Sequence, residues 1–396
     1  MPHALLLAPW FPPSPGGAER YAWRLFSHAP RSGWDVTVAT DGRIVAGRHD
    51  GSPAPTPGVH RLTRYAEQLA DPRRVAWRSM QFAVLDELDD VLVDRSIDLV
   101  HANSIETAVL GRVIADHLGV PLVVTIHEHA PQAESFGRGR LRLAFRRLDP
   151  DAVVAPSSFY HERARAEGVP PDRIHLIPHG VEVPPAPPSP APGGSGRYWG
   201  LPEGAWVALT VGRIYHAKGT WELVRATALA REAVPQLRVV VVGPDGPSEY
   251  ADRVRAEVRR SGLADVLIFA GPKQPEEMPT VLAHADAVVA PSLAEGFGLA
   301  VAEAMALGRA VLASAVGGLT DLVDDGVDGV LVPPGDVRAL AAALVGLASD
   351  PEHSARLGAA ARRTISTRHE VGMMVTRTTA LYDHLLARDG TPPRRR

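Results

Sequence analysis

The sequence contains no cysteine, which excludes disulfides, thiol nucleophiles and cysteine-ligated metal centres. It also lacks a dominant sign of charge: it has 42 Lys and Arg residues and 45 Asp and Glu residues, which give a formal net charge of −3 at pH 7. Proteins that bind nucleic acids usually carry a strongly basic surface, so this balance gives no support for such a partner. No apolar run approaches the roughly 20 residues that a membrane-spanning helix needs.

No signal peptide is expected at the start of the sequence. The opening residues, MPHALLLAPWFPPSPGG, have neither a basic n-region nor a small-residue cleavage site, and they predict a buried strand rather than a signal peptide. We therefore expect a cytoplasmic location.

Lysine is scarce, with only Lys218 and Lys273 in a chain that otherwise uses arginine for its cations. The compact ammonium of lysine differs chemically from the planar guanidinium, so each lysine is a candidate for a specific role. For Lys273, chance is an equally good explanation.

Apolar runs alternate with helical stretches twice along the 396 residues, a length that favours two domains. Helical spacing is found in residues 18–29 and 218–233 and in a last helix at about 372–388. The predicted strands of the first half are 3–8, 35–40, 98–102, 121–127, 151–157 and 173–178. Those of the second half are 206–212, 237–243, 265–271, 286–292, 309–314 and 329–334.

The two halves are separated by a stretch dense in proline and glycine, VPPAPPSPAPGGSG. We predict an N-terminal domain over 1–182, a linker over 183–199 and a C-terminal domain over 200–371, with the C-terminal helix (about 372–390) packing back on the first domain. Uninterrupted apolar strands indicate parallel sheets covered on both faces. The prediction is an α/β fold of two Rossmann-like, doubly wound domains facing each other across a cleft, with a disordered tail.

Ligands of parallel sheets bind at the carboxyl ends of the strands, so the loops after LLLA, VVTI, ALTV, VVVV, VVAPS and VLAS are the candidate site. In VGRIYHAKG, Arg213 and Lys218 follow a strand and precede a helix. A guanidinium, an ammonium and the free N–H groups of a helix start together suit a diphosphate. Two solvated loop cations are the alternative.

The second such loop is SLAEGFGLAVAEAMALG. Gly298 allows close approach of the backbone to a ligand, and the helix predicted from Leu299 offers unsatisfied N–H groups to an anion. Glu295 can accept hydrogen bonds from sugar hydroxyls, and Glu303 can accept those of a ribose. Ordinary helix charges are the alternative for each glutamate, but a diphosphate flanked by hydroxyl groups, as in a sugar nucleotide, accounts for both loops together.

These stretches resemble the retaining glycosyltransferases of family 4 (glycosyl transferases group 1), which have the GT-B fold. The matching runs are GRIYHAKGTWELVRA, VVGPDG, PSLAEGFGLAVAEAMALGRAVLAS, PPSPGGAER and APSSFYHERARAEGVPPDRIHLIPHGVE. They span nearly the whole chain in the expected order. The spacing of Glu295 and Glu303 is the most specific element, and Arg213 and Lys218 strengthen it.

The resemblance implies roles for these residues. Arg213 and Lys218 would neutralise the donor pyrophosphate, Glu303 would bind the ribose, and Glu295 would contact the transferred sugar. The backbone at Phe297, Gly298 and Leu299 would bind phosphate and sugar, and Gly243 in VVGPDG would line the donor site.

In the first domain, the resemblance implies that Gly16 and Gly17 allow close approach to the donor and that His127 lies by the reacting centre. On spacing alone, His127 is more simply a structural histidine. One position departs from the family, because members commonly carry Asn where IPHGV has His179. We interpret His179 as a structural residue near the hinge.

Other motifs carry weaker alternatives. A metal site at His127, Glu128 and His129 is conceivable, but neighbouring residues of a strand point apart. Asp149-Pro-Asp151 is interpreted as a turn. The basic amphipathic stretch 137–149 can bind an anionic membrane surface or serve as a solvated arm beside the acceptor.

The predicted function is transfer of a sugar, from a UDP- or GDP-sugar by preference, to a hydroxyl of a glycan, glycolipid or specialised metabolite. No cofactor or metal is expected to be required. The alternatives are a sugar-nucleotide epimerase or phosphorylase on the same scaffold, and a non-catalytic protein that binds sugar nucleotides.

Overall fold

The computed structural model describes residues 1–14, 16–42, 56–62, 86–89, 91–93, 96–127, 141–185, 194–246 and 248–388. The chain divides into two compact units. One combines Met1–Gly180 with Val371–Arg396, and the other is Val181–Glu370. Of the predicted linker, residues 186–193 lie outside the described residues, as does the predicted tail from residue 389 onward.

The first unit is built on a seven-stranded parallel sheet with the order β3-β2-β1-β4-β5-β6-β7. Its strands are β1 His3–Ala8, β2 Asp35–Asp41, β3 Val59–Leu62, β4 Leu99–Ala102, β5 Leu122–Thr125, β6 Ala152–Ala155 and β7 Ile174–Leu176. Its helices include α1 Gly17–His28, α2 Ala108–Leu118, α3 Ser158–Ala166 and, from the far end of the chain, α12 Val371–Arg388. Strand β3 was not predicted, because VHRL at the sheet edge is only partly buried and has no apolar run.

Both faces of this sheet are covered, as its apolar strands predicted. Side chains alternate between the faces of a strand, so Leu5 and Leu6 enter different cores. The Leu5 core includes Ile114 of α2, whereas the Leu6 core includes Leu25 of α1 and Met374 of α12. Full burial of one such apolar side chain contributes about 1.5–3 kcal/mol. Because α12 supplies several side chains to the Leu6 core, this helix is an integral part of the unit.

The second unit repeats the plan with a six-stranded parallel sheet of order β10-β9-β8-β11-β12-β13. Its strands are β8 Trp206–Val211, β9 Leu237–Val242, β10 Leu267–Gly271, β11 Ala287–Ala290, β12 Ala310–Ser314 and β13 Val330–Val332. Its helices are α4 Ser195–Tyr198, α5 Thr220–Ala230, α6 Ser248–Arg260, α7 Met278–Ala283, α8 Leu299–Ala306, α9 Leu319–Leu322, α10 Val337–Ser349 and α11 Pro351–Arg368.

In both sheets the strand order reverses once, between β1 and β4 in the first and between β8 and β11 in the second. At such a reversal the following helices lie on opposite faces, and the loops at the carboxyl ends of the two strands separate to leave a crevice. The loops that carry the predicted donor residues, after β8 and β11, are therefore neighbours at a switch point.

Candidate active site

The loops after β8 and β11 are joined by their backbones. Leu293 and Ala294 donate N–H hydrogen bonds to the carbonyl oxygen of Ala217, at 2.8 and 3.2 Å. Residues 216–218 form a single 3₁₀ turn that ends at Gly219, from which α5 starts. The turn carries Lys218 toward the loop that follows β11.

Lys218 and Glu295 form an ion pair, with Nζ 2.5 Å from Oε2. The Lys218 side chain is 25% exposed and that of Glu295 is 12% exposed. Burial lowers the pKa of the Lys218 amine, but the charge of Glu295, its hydrogen bond and Tyr215 outweigh this, and the pKa is raised overall. The ammonium is thus held charged, facing the crevice loops.

Arg213 lies on the same loop and its side chain is exposed. Its positive charge acts to lower the pKa of Lys218, so the two cations are close enough to interact electrostatically. A pair of neighbouring cations of which one is exposed can take up the two negative charges of a diphosphate.

The turn after Glu295 leads into α8. Gly298 precedes that helix in a left-handed conformation (φ 96°), and a Cβ there would lie 2.5 Å from Leu319. The Phe297 side chain is buried and packs edge-on near His369, at 5.9 Å between ring centroids. Only the backbone of this turn can therefore contact a ligand. Glu303 lies one turn further along α8 and is partly buried.

Two glycines allow the neighbouring loops to approach one another. A Cβ on Gly219 would lie 1.8 Å from the carbonyl oxygen of Pro291, at the end of β11. A Cβ on Gly243 would lie 2.0 Å from the carbonyl oxygen of Gly212. Gly243, predicted as a donor-binding residue, thus lies where β9 and β8 end, and its backbone packs on the loop that carries Arg213.

A third candidate loop, the one after β12, contributes two glycines that were not named as site residues from the sequence. Gly318 donates its N–H to the carbonyl oxygen of Glu295 at 3.2 Å, and a Cβ on Gly317 (φ 55°) would lie 1.9 Å from that oxygen. These two glycines support the turn that holds Glu295. A Gly-Gly pair directly after an apolar strand was the signal that could have identified them.

In the first unit, His127 follows β5 and forms a hydrogen bond with Asn103, which follows β4, at 3.0 Å between Nε2 and Oδ1. Asn103 Nδ2 donates to the carbonyl oxygen of Ala18, so its Oδ1 must accept. The proton of neutral His127 consequently lies on Nε2, and Nδ1 is the acceptor of the ring. Asn103 was missed because the loop after DLVHA was not among those considered.

His127 belongs to a cluster of rings. It stacks on His179 at 5.2 Å with 22° between the ring planes, and Tyr21 meets both rings edge-on. Burial lowers the pKa of His127 to about 3, and it lowers that of His179 well below the ordinary value, assisted by the charges of His127 and Arg24. Both imidazoles are therefore neutral at physiological pH.

A third buried histidine, His101, lies close to this cluster. His101 Nδ1 is hydrogen-bonded to the hydroxyl of Tyr382 on α12, and its Nε2 to Thr125 at 2.7 Å. Burial, with a smaller contribution from His127, lowers the pKa of His101 to about 3. The two glycines predicted in the N-terminal loop lie nearby in the fold, because Gly16 precedes α1 and Gly17 is its first residue, after β1 at the switch point.

The structure bears on the weaker motifs. Asp149 pairs with Arg173 at 2.7 Å, and Asp151 accepts a hydrogen bond from the Leu122 N–H, so both carboxylates of the Asp149-Pro-Asp151 triplet have partners within the protein. Glu128 and His129 lie outside the described residues. Over the ranges that are described, no group of three His, Asp or Glu side chains is placed to hold a metal ion.

The basic stretch predicted as 137–149 is described from residue 141, and Leu143–Arg147 form a π-helical turn. Its apolar residues Leu141 and Phe145 are buried in the core, whereas Leu143 is 44% exposed. Among the described helices, none is long and apolar enough to cross a membrane. Lys273 follows β10 and is partly buried; nothing in the structure assigns it a role.

Comparison with known families divides the chain in the same way. Residues 15–183 match the family model Glycosyltransferase Family 4, and residues 197–364 match Glycosyl transferases group 1. D-inositol 3-phosphate glycosyltransferase from Kineococcus radiotolerans is 34% identical over 300 residues, which cover 68% of this chain and 68% of that protein. The chain belongs to the family 4 (group 1) glycosyltransferases.

A second relative has the same name. The D-inositol 3-phosphate glycosyltransferase of Acidothermus cellulolyticus is 35% identical over 279 residues, or 66% of this chain, and the match spans only 61% of that relative's length.

Solved structures confirm the GT-B fold. Sucrose-phosphate synthase from Thermosynechococcus elongatus aligns with a TM-score of 0.80 and 25% identity, covering 98% of this chain and 100% of that one. Anabaena HepE in complex with UDP-glucose aligns with a TM-score of 0.77 and 23% identity, covering 97% and 100%. The prediction of two Rossmann-like α/β domains is thus confirmed for this family 4 member.

Proposed function

We propose that this chain transfers a sugar from a nucleoside-diphosphate sugar to a hydroxyl group with retention of anomeric configuration. The observation that carries the proposal is the Lys218–Glu295 pair at the switch point of the second sheet. It presents a cation for the diphosphate and a carboxylate for sugar hydroxyls within one loop cluster, beside the exposed Arg213.

In this reaction the acceptor oxygen forms a bond to the anomeric carbon on the face from which the diphosphate departs. The bond between that carbon and the phosphate oxygen breaks, and the acceptor proton passes to a leaving phosphate oxygen. Lys218, Arg213 and the N-terminus of α8 at Gly298 stabilise the charge that develops on the diphosphate. No protein nucleophile is required.

Each remaining residue has a proposed part. Glu303, one turn into α8, accepts hydrogen bonds from the ribose, and the backbone from Phe297 to Leu299 contacts phosphate and sugar. Gly243, like Gly16 and Gly17 in the first unit, allows close backbone approach. His127 acts on the acceptor side through its neutral ring, whose Nδ1 is an acceptor.

The donor and acceptor are proposed by chemical class. HepE binds UDP-glucose, and a UDP- or GDP-sugar is the proposed donor here. The acceptor is a hydroxyl of a glycan, glycolipid or specialised metabolite, and the names of the relatives add phosphorylated inositol to the acceptors to be tested. We also propose that transfer requires no metal, so EDTA should leave the rate unchanged.

The peripheral membrane contact that we propose is an electrostatic one, between arginine side chains and anionic lipid. Leu141, Ala144 and Phe145 are already buried, so exposed Arg142, Arg146 and Arg147 would form the contact. Binding to vesicles that contain anionic lipid should then weaken as salt rises, and binding that does not depend on salt would contradict this form of contact.

The experiment is a donor screen followed by product analysis. UDP-, GDP-, ADP- and dTDP-sugars are tested for thermal stabilisation, and the stabilising donor is incubated with a panel of acceptors. An NMR coupling constant at the anomeric proton that matches the donor supports retention. Conversion of the donor sugar without an acceptor, or binding with neither transfer nor slow hydrolysis, would overturn the proposal.

A further inference from the structure

The stacking of His127 on His179 joins two loops of the first unit. His127 follows β5, whereas His179 follows β7 in the IPHGV turn, and their ring centroids are 5.2 Å apart with 22° between planes. Tyr21 of α1 lies edge-on to both, at 5.3 Å from His127 and 5.2 Å from His179. From the sequence, His179 was interpreted as a structural residue near the hinge, with no connection to His127.

Hydrogen bonds and ring contacts both hold His127. Its Nε2 is held by Asn103, and its backbone carbonyl accepts from the hydroxyl of Tyr160 at 2.8 Å. The hydrogen bond to Asn103 fixes one point of the imidazole. The His179 face and the Tyr21 edge supply the surfaces that fix the plane.

His179 is itself held firmly. Its side chain is 5% exposed, and Arg24 of α1 donates from Nη1 to the carbonyl oxygen of the next residue, Gly180, at 2.9 Å. The guanidinium beside it also opposes its protonation. The surface against which His127 rests is thus flat, aromatic and uncharged.

We propose that His179 is a positioning residue: its imidazole keeps the ring of His127 in one plane and shields it from water, so that His127 stays neutral with Nδ1 as its acceptor. The inference rests on the proposed function in giving His127 a role in transfer. An asparagine at position 179 would have no ring to offer and would leave part of the His127 face uncovered.

The protonation of His127 is also affected by other groups around it. Those that face the cluster from the described elements are Tyr21 and Arg24 of α1, His101 of β4, Tyr160 of α3 and Tyr382 of α12. Arg24 is the fixed cation among them. None of these changes in the variants below, so a shift in the titration of His127 reports the loss of the ring at 179.

The test compares three variants of the full chain: His179→Ala, His179→Asn and His179→Phe. In chains labelled with ¹⁵N-histidine, the His127 signals, assigned by their loss in His127→Ala, are titrated from pH 7.5 downward. Removal of the ring admits water, so the pKa of His127 should rise by about one unit or more in the Ala and Asn variants. In His179→Phe, which keeps a planar ring, it should stay low.

Kinetics give the second readout. At pH 7 the Ala and Asn variants should lose on the order of 10-fold in kcat, with little change in KM for the donor, and the acid limb of the rate profile should move to higher pH. The Phe variant should keep a rate near that of the wild type. Thermal unfolding of each variant controls for loss of the fold, and if Ala does not fold, Asn and Phe make the same comparison.

The inference is overturned if the titration of His127 and the acid limb are unchanged in a folded Ala or Asn variant, or if Phe behaves like Ala. Failure of the proposed function has a different signature, because the wild-type chain would then transfer no sugar while the NMR titration still distinguished the variants.

Discussion

Lys218 Nζ lies 2.5 Å from Glu295 Oε2, although 77 residues separate the two along the chain. The contact exists because β8 and β11 are hydrogen-bonded neighbours at the point where the strand order reverses. Each group neutralises the other, so the pair holds its geometry before any ligand binds. A ligand phosphate can then join the ammonium without a large rearrangement of the protein.

Lys218→Ala should lower kcat by about 10²–10³-fold, because it removes a cation that stabilises the leaving diphosphate. It should also destabilise the chain by about 1–3 kcal/mol, since Glu295 is then a poorly solvated carboxylate without its charge partner. The double variant Lys218→Ala/Glu295→Ala should recover the stability but not the rate. Steady-state kinetics and urea unfolding measure the two effects.

The matched control is Arg338→Ala, an exposed cation at the start of α10 in the same unit. Its rate and stability should stay close to those of the wild type. Near-normal turnover by Lys218→Ala would contradict the assignment of this residue.

Glu303→Ala should weaken binding of the nucleoside diphosphate by roughly 10–100-fold, the usual loss for a hydrogen bond to a charged group. Calorimetry with the ribose and 2′-deoxyribose forms of the nucleotide gives the sharper comparison. The wild type should distinguish the two forms, and Glu303→Ala should not. Glu232→Ala, at an exposed position after α5, is the control and should distinguish the two nucleotides as the wild type does. If Glu303→Ala also distinguishes them as well as the wild type does, Glu303 does not bind the ribose.

Gly317→Ala should abolish donor binding while the sheet stays folded. The new Cβ would lie 1.9 Å from the carbonyl oxygen of Glu295, in a backbone conformation (φ 55°) that alanine rarely adopts. The turn that holds Glu295 must therefore move. Gly346→Ala, within α10 and with no atom within 4 Å of the added methyl group, is the control and should be neutral or stabilising. Thermal stabilisation by the donor measures both, and a normal shift in Gly317→Ala would be the contrary result.

Acidification should destabilise the first unit in a defined window. The pKa of His101 is lowered to about 3 and that of His179 is also well below its ordinary value of 6.5. Below pH 6.5 the unfolded chain therefore takes up protons that the folded chain does not, and stability is lost as pH falls from 6.5 toward the folded pKa. Each such histidine should lower the free energy of unfolding by about 1 kcal/mol between pH 7 and pH 5.5.

Hydrogen exchange of peptides from β4 and β5 measures this loss in the first unit. His179→Phe removes one of the titrating groups. As the pH is lowered, the protection of the β4 and β5 peptides from exchange should therefore fall less steeply in this variant than in the wild type. If protection falls with pH at the same slope in His179→Phe and the wild type, His179 takes up a proton in the folded chain as readily as in the unfolded one.

Tyr382→Phe should destabilise the chain by about 1–3 kcal/mol, because the buried Nδ1 of His101 loses the hydroxyl that it contacts. The ring packing on Trp34, at 4.9 Å between centroids, is retained in the variant, so the loss reports the polar contact. A fall of roughly 2–10 °C in the unfolding temperature is expected for domains of this size. Tyr198→Phe, whose side chain is 38% exposed, is the control and should unfold at the wild-type temperature.

Much of the fold could be predicted, because its signals are local. Twelve apolar runs predicted strands, and parallel pairing follows from runs that are apolar without alternation. From the ends of those strands the loops with Lys218 and Glu295 could also be identified. The edge strand β3 could not, because Val59–Leu62 depends on its neighbour β2 rather than on a pattern of its own.

The parts of the site that were missed depend on contacts between distant segments. Gly219 and Gly317 are required by carbonyl oxygens of Pro291 and Glu295, which no local pattern reveals. The contacts of the His127 ring in the same way come from Asn103 and from His179, 52 positions further along the sequence. Spacing along the chain predicted which loops to consider but not which backbones touch.

The placement of α12 has a consequence for synthesis of the chain. The unit that begins at Met1 contains Val371–Arg396, whereas Val181–Glu370 is continuous. On the ribosome, the later segment can complete its fold first, while the earlier one waits for Met374 and Tyr382 to emerge and fill the Leu6 face of its sheet. Until α12 has been synthesised, the Leu6 face of the first sheet lacks the apolar side chains that this helix supplies.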